Sequence, residues 1–173
     1  ILWQRSISRP AQVYGAWINA SGRDGFVTPY GVLFTTINTF NRENWQLPTP
    51  VEHPSNNSLF VFNTDGSFRY QYKADGTMEE LAFAGKFAAC AVGRNVRTHN
   101  YKAHGALVVN LENGSRYNFF GTEGPLQAIA ISGDGRQVAG VEAPAVTPEG
   151  KIIGAYRLHL WHNKGEEGTS HAQ

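Results

Sequence analysis

The stretches "NTDGS" at Asn63–Ser67 and "LENGS" at Leu111–Ser115 carry the reading of the fold. Each follows an apolar run of strand character and precedes an aromatic one. Aspartate or asparagine before glycine supplies the positive φ of a type I′ turn, so "SLFVFNTDGSFRYQY" and "ALVVNLENGSRYNFF" both read as hairpins. Asp65 and Asn113 lie 48 residues apart. If that spacing is a period, the neighbouring segments should recur with it. "LAFAGKFAACAVG" (81–93) falls beside "IAISGDGRQVAGV" (129–141), setting Gly85 against Gly133 and Val92 against Gly140. "ALVVNLENG" lines up with "YRLHLWHNKG" (156–165) at a spacing of 51, the extra residues falling in "APAVTPEG". "AWINASGRDGFV" (16–27) takes the first-strand role upstream.

Each unit reads as strands of about five to eight residues bounded by Gly, Asn and Asp. Nowhere do apolar residues keep helical spacing over three turns, so no helix is expected. The expected fold is all-β: about three four-stranded antiparallel sheets in tandem. A period of roughly 40 to 50 residues with four strands per unit is the sequence sign of a β-propeller, whose sheets, or blades, stack around a channel.

Residues 125–161, "PLQAIAISGDGRQVAGV…YRLHLW", resemble WD-repeat and related propeller blades. The shared form is apolar-x-apolar-S-x-DG-x-apolar-A followed by an apolar strand ending in Trp, here Ser132, Asp134, Gly135 and Trp161. His162 follows Trp161, so the Trp-Asp pair is missing and no Gly-His pair opens the blade. The resemblance implies a propeller and no particular activity, because that fold hosts binders and enzymes alike.

The units divide as the end of a preceding blade at 1–10, blades at 11–73, 74–121 and 122–165, and a disordered tail at 166–173. Three blades fall short of the four to eight that typically close a propeller. The reading therefore expects an incomplete propeller: a fragment of a longer one, or copies that associate to complete one. The first residues, "ILWQRSIS", resemble the "HLWHNKG" strand of a unit.

The chain has 173 residues, 41% apolar and 12% aromatic, with a formal net charge of +1. That is enough for a packed core, and no basic surplus points to nucleic acid. Apolar stretches are far shorter than the roughly 18 residues of a membrane span. Cys90 sits alone in "FAACAV" and reads as a small buried hydrophobe. Three N-x-S/T sequons, at Asn19, Asn56 and Asn113, lean the location towards extracytoplasmic or secreted.

Candidate contact residues cluster in two loops. The insertion at 38–57, "NTFNRENWQLPTPVEHPSNN", is rich in Asn and Pro and carries Arg42, Trp45 and His53; loops of this size are usually functional or disordered. The segment "GRNVRTHNYKAHG" holds Arg94, Arg97, His99, Tyr101, Lys102 and His104, the densest positive stretch. His99 and His104 could face one rim, but no carboxylate or Cys beside them completes a metal set. His159 shares a strand face with Trp161 and reads as a packing residue. Asp65 and Asp134 before Gly read as turn formers. Glu79 and Glu80 open a strand and point to opposite faces, so they cannot act together as acid and base. No nucleophile elbow, P-loop or dinucleotide fingerprint is present, and no cofactor is expected.

The function expected is therefore a non-catalytic binding or assembly module, its partner a protein or further copies and blades. Rival readings are part of a propeller enzyme, either a hydrolase or a metal- or quinone-dependent oxidoreductase, and a structural subunit of an extracellular assembly.

Overall fold

Both hairpins form. The computed structural model describes residues 2–13, 16–40, 52–93, 103–147 and 149–164. Among them there are strands joined by turns and irregular segments and no helix; the strands pair antiparallel, and one sheet curls into half a barrel. The first sheet runs β1 (Ala11–Val13), β2 (Ala16–Thr28), β3 (Gly31–Phe40), β4 (Ser58–Phe62) and β5 (Phe68–Lys73), in chain order. The second runs β6 (Met78–Ala84), β7 (Phe87–Val92), β8 (Gly105–Asn110) and β9 (Arg116–Gly121), again in order. The third joins β10 (Leu126–Ile131), β11 (Gln137–Glu142) and β14 (Arg157–His162). Between β11 and β14 lies a separate two-stranded ribbon, β12 (Ala145–Val146) and β13 (Ile152–Ile153). The sheets thus have five, four and three strands rather than a uniform four, and β3 extends to Phe40, into the stretch expected to be loop.

The opening hairpins close differently from the expected type I′ turn. That turn needs positive φ at both central residues, yet among the described non-glycine residues only Asn57 has it. Gly66 alone carries the turn, at φ 82°, with its N–H bonded to the Asn63 carbonyl at 2.9 Å. Asn63 pairs with Ser67 and Asn110 with Ser115, so the second loop is one residue longer. Asp65 and Asn113 cap these loops, each accepting the N–H two residues on, from Ser67 at 2.7 Å and Ser115 at 3.0 Å. The turn role read from the sequence is what their side chains perform.

The sheets stack through two cores. Leu33, Leu59 and Val61 of the first sheet meet Met78, Leu81, Cys90 and Leu107 of the second. On the opposite face of the second sheet, Ala89, Ala91, Ala106 and Val108 meet Leu126, Ile129 and Val138 of the third. The run "FAACAV" is buried almost throughout because β7 has a neighbour on each side: Ala88, Cys90 and Val92 face one core, Ala89 and Ala91 the other. Period-two alternation sorts these residues, and their small size lets the flanking sheets approach. Phe120 of β9 stacks on Trp161 of β14 at 5.3 Å, closing the second boundary.

Register corrects one alignment made from sequence. Met78 pairs with Val92, and Leu126, 48 residues after Met78, pairs with Glu142. The counterpart of Val92 is therefore Glu142 rather than Gly140, because the "SGDG" turn is two residues longer than "AG".

Candidate functional site

The strand that opens the repeated unit in each sheet, β2 (after the short β1) in the first, β6 in the second and β10 in the third, breaks register at a matching place. Pairing with the second strand skips between Gly22 and Gly25, between Met78 and Glu80, and between Leu126 and Ala128. Each skip is a β-bulge, which frees a residue from the ladder and re-aims its side chain. The freed residues are Arg23 and Asp24, then Glu79, then Gln127. Glu79 and Gln127 are 48 residues apart, so the irregularity is part of the repeated unit.

Arg23, Glu79 and Gln127 line one open groove of about 390 Å³, completed by Pro125, Pro144 and Ala145. Arg23 sits 3.7 Å from Glu79 in a half-exposed ion pair and reaches the Glu79 carbonyl at 3.4 Å. Thr77 donates its hydroxyl to the Glu79 carboxylate at 2.5 Å, holding it in place. The groove offers a guanidinium, a carboxylate and an amide between two prolines. Such a set can bind an extended polar segment, with donors and acceptors for a peptide backbone, and carries no nucleophile.

Asp24 of the first bulge and Glu80, next to the second, tie sheet to sheet. Asp24 accepts the N–H of Leu81 at 3.2 Å, and Glu80 accepts that of Ile129 at 2.8 Å. Leu81 and Ile129 are again 48 residues apart. The first strand of each later sheet thus has a backbone donor satisfied by a carboxylate of the sheet before. Glu79 and Glu80 have separate partners, the groove for one and the next sheet for the other, and the bulge at Glu79 interrupts the alternation that a regular strand would impose.

Of the residues expected to make contacts, Arg42, Trp45, Arg94, Arg97, His99, Tyr101 and Lys102 lie outside the described residues. His53 and His104 are described, and both are buried, 7% and 2% exposed. The His53 Nδ1 accepts the N–H of Ser55 at 3.0 Å, so its Nε2 carries the proton and donates to the Arg9 carbonyl at 3.0 Å. His104 Nδ1 lies 3.3 Å from the Glu123 carbonyl. Both rings are buried and lie against backbone carbonyls instead of standing exposed on a loop. Among the described residues no three His, Cys, Asp or Glu side chains are grouped to share a metal ion, and no helix is long and apolar enough to cross a membrane.

A second polar cluster was not legible in the sequence. Glu142 is fully buried; its carboxylate accepts His159 Nε2 at 2.6 Å and the Gly124 N–H at 2.7 Å, with Arg157 at 3.6 Å. Burial alone would raise its pKa; the bond from His159, then the Gly124 N–H and the Arg157 charge, outweigh burial and hold it below the ordinary value. His159 lies flat on Trp161 at 5.1 Å. The pair fastens β11 and β14 to the loop before β10. In the second sheet the same two positions are Val92 and Leu107, a purely apolar contact.

Neither protein-family models nor the curated proteins searched contain a match to this chain. The reading of its function therefore rests on the groove and on the stacked sheets.

Proposed function

We propose that the chain is a non-catalytic binding module built from propeller-type blades, and that an extended segment of a protein partner binds in the groove between Arg23, Glu79 and Gln127. The carrying observation is that three successive first strands each release a bulge residue at the matching position, and that one residue from each lines a common groove. A bulge repeated through a sheet stack gains nothing for the ladder it interrupts; its use lies in the side chains it presents. The propeller reading is supported by sheets that follow one another as meanders, by contact between β2 and β6 and between β6 and β10, and by the two cores. The first strands would then surround the axis, and the groove would be the mouth of the channel.

Selection of a displayed random-peptide library on the purified chain tests the binding role. Peptides enriched on the wild type should lose at least about tenfold in affinity on Arg23→Glu, which places a like charge beside Glu79 and removes the guanidinium donors. Equal binding to wild type and variant, or no enrichment at all, would reject the groove as a site. Arg23 is half exposed, so the variant keeps the fold.

A further inference from the structure

Among the described residues nothing covers the outer face of the third sheet. Two cross-strand rows form it: Ala128, Val141 and Leu158, then Ala130, Ala139 and Leu160. All six are apolar, with Val141 40%, Leu158 78% and Leu160 67% exposed. Isolated exposed leucines need no explanation, but a contiguous apolar face does.

The repeat states what kind of face this is. Its rows occupy the same ladder positions as Glu80, Ala91 and Ala106, then Ala82, Ala89 and Val108, in the second sheet. There the alanines of β7 and β8 and Val108 are buried completely against the third sheet. The exposed rows are thus the continuation of an established sheet-packing surface. They differ from it in two respects. Ala128 replaces Glu80, so no carboxylate is available for the first strand of a following sheet. Val141, Leu158 and Leu160 replace Ala91, Ala106 and Val108, so the close approach that alanine permits is gone. A sheet placed as the third is placed on the second would lose a hydrogen bond and meet bulkier side chains.

The other end of the stack is already occupied. Phe60 and Phe62 on the outer face of the first sheet are buried; Trp3 stacks on Phe62 at 6.2 Å and its indole N–H bonds the Thr64 carbonyl at 2.8 Å. Head-to-tail stacking of copies would have to strip that segment away. The third sheet meeting its own counterpart would not. We infer that two copies of this chain associate face to face through the β10–β11–β14 sheets, around a two-fold axis, with Leu158 and Leu160 interleaving. Such an isologous contact is the commonest form of homodimer. The inference rests on the assembly side of the reading above and does not involve the groove.

Three strands about 4.8 Å apart and six residues of about 3.3 Å rise give a footprint of roughly 300 Å² per copy. That is small beside a standard interface of about 800 Å² per partner, so the dimer is weak, with dissociation in the micromolar range or above.

Sedimentation equilibrium of the wild type between about 5 µM and about 500 µM should show mass rising towards twice that of the monomer. Leu158→Lys combined with Leu160→Lys should stay monomeric over that range while melting within a few degrees of dilute wild type. Val27→Lys, an exposed apolar position on β2, should dimerise like wild type. A wild type monomeric throughout, or a double variant that associates as well as wild type, would overturn the inference. If the double variant misfolds, Leu160→Asn alone should still weaken association at least about fivefold, and unchanged association there would likewise overturn it. Peptide binding in the groove should be the same in all these variants, so either idea can fail alone.

Discussion

The carboxylate of Glu80 accepts the backbone N–H of Ile129 at 2.8 Å, across the boundary between the second and third sheets. Asp24 stands in the same relation to Leu81 across the first boundary. Apolar faces provide the area of both contacts, and that attraction has no direction. The carboxylate-to-amide bond sets how far one first strand slides along the next.

Removing the acceptor should therefore cost more than a surface charge is worth. Glu80→Ala leaves the Ile129 N–H facing an apolar boundary, and is expected to lower unfolding free energy by about 1–3 kcal/mol. Glu80→Gln, which keeps a carbonyl acceptor, should recover most of that. Urea denaturation followed by tryptophan fluorescence measures both; equal losses for Ala and Gln would mean the charge matters rather than the bond.

The turn glycines make a second contrast. Gly114 has φ 75°, and a Cβ there would lie 2.2 Å from the Tyr70 ring. Gly133, in the "SGDG" turn, has no positive φ and open space around it. Gly114→Ala should destabilise by about 2 kcal/mol or more, and Gly133→Ala by less than about 0.5 kcal/mol. Similar melting temperatures for the two would show that the Tyr70 ring does not seal the β8–β9 hairpin.

The antiparallel hairpins, and the absence of helix among the described residues, were legible because Asp-Gly and Asn-Gly punctuate alternating apolar runs, a purely local signal. The turn type was not: it depends on which strand residues close the loop, and a type I′ turn closes two residues where these loops close three and four. The groove was missed for a related reason. Glu79 and Glu80 were read as ordinary ladder residues and Gln127 was not singled out, although Met78 and Leu126 already repeat at the period and precede Glu79 and Gln127. Lining up the two bulges needs the register, which no spacing reveals. His53 and His104 were expected in contact loops because polar residues surround them, yet both rings turn inward to backbone carbonyls. Nothing local distinguishes a histidine that meets a partner from one that fastens a loop.

Glu142 gives the fold a defined sensitivity to acid. Its folded pKa is below the ordinary 4.5, so the unfolded chain binds the proton more readily. The stabilisation is complete above that ordinary value and is lost as pH falls through the lower folded one. The groups facing the carboxylate are His159, Arg157 and the backbone N–H groups of Gly124 and Ala155. Glu142→Gln should lower the melting temperature at neutral pH and flatten its fall between neutral and acid pH. Parallel curves for wild type and variant in thermal scans across that range would show that the carboxylate does not contribute.

Cys90 reports on the first core. It is fully buried among Leu81, Leu107 and their neighbours, and burial pushes its thiol pKa far up. Thiolate is the reactive form, so a folded chain should resist a thiol reagent almost completely. Reaction requires the first and second sheets to part, which makes its rate a measure of opening at that boundary. In native buffer, labelling should be slower than in urea by roughly the folding equilibrium constant, on the order of 10³-fold or more. Leu59→Ala, which cuts a fully buried side chain from the opposite sheet, should accelerate native labelling, whereas Leu160→Ala on the outer face of the third sheet should not. Acceleration by both would mean that the chain opens as one unit and that its two sheet boundaries do not part separately.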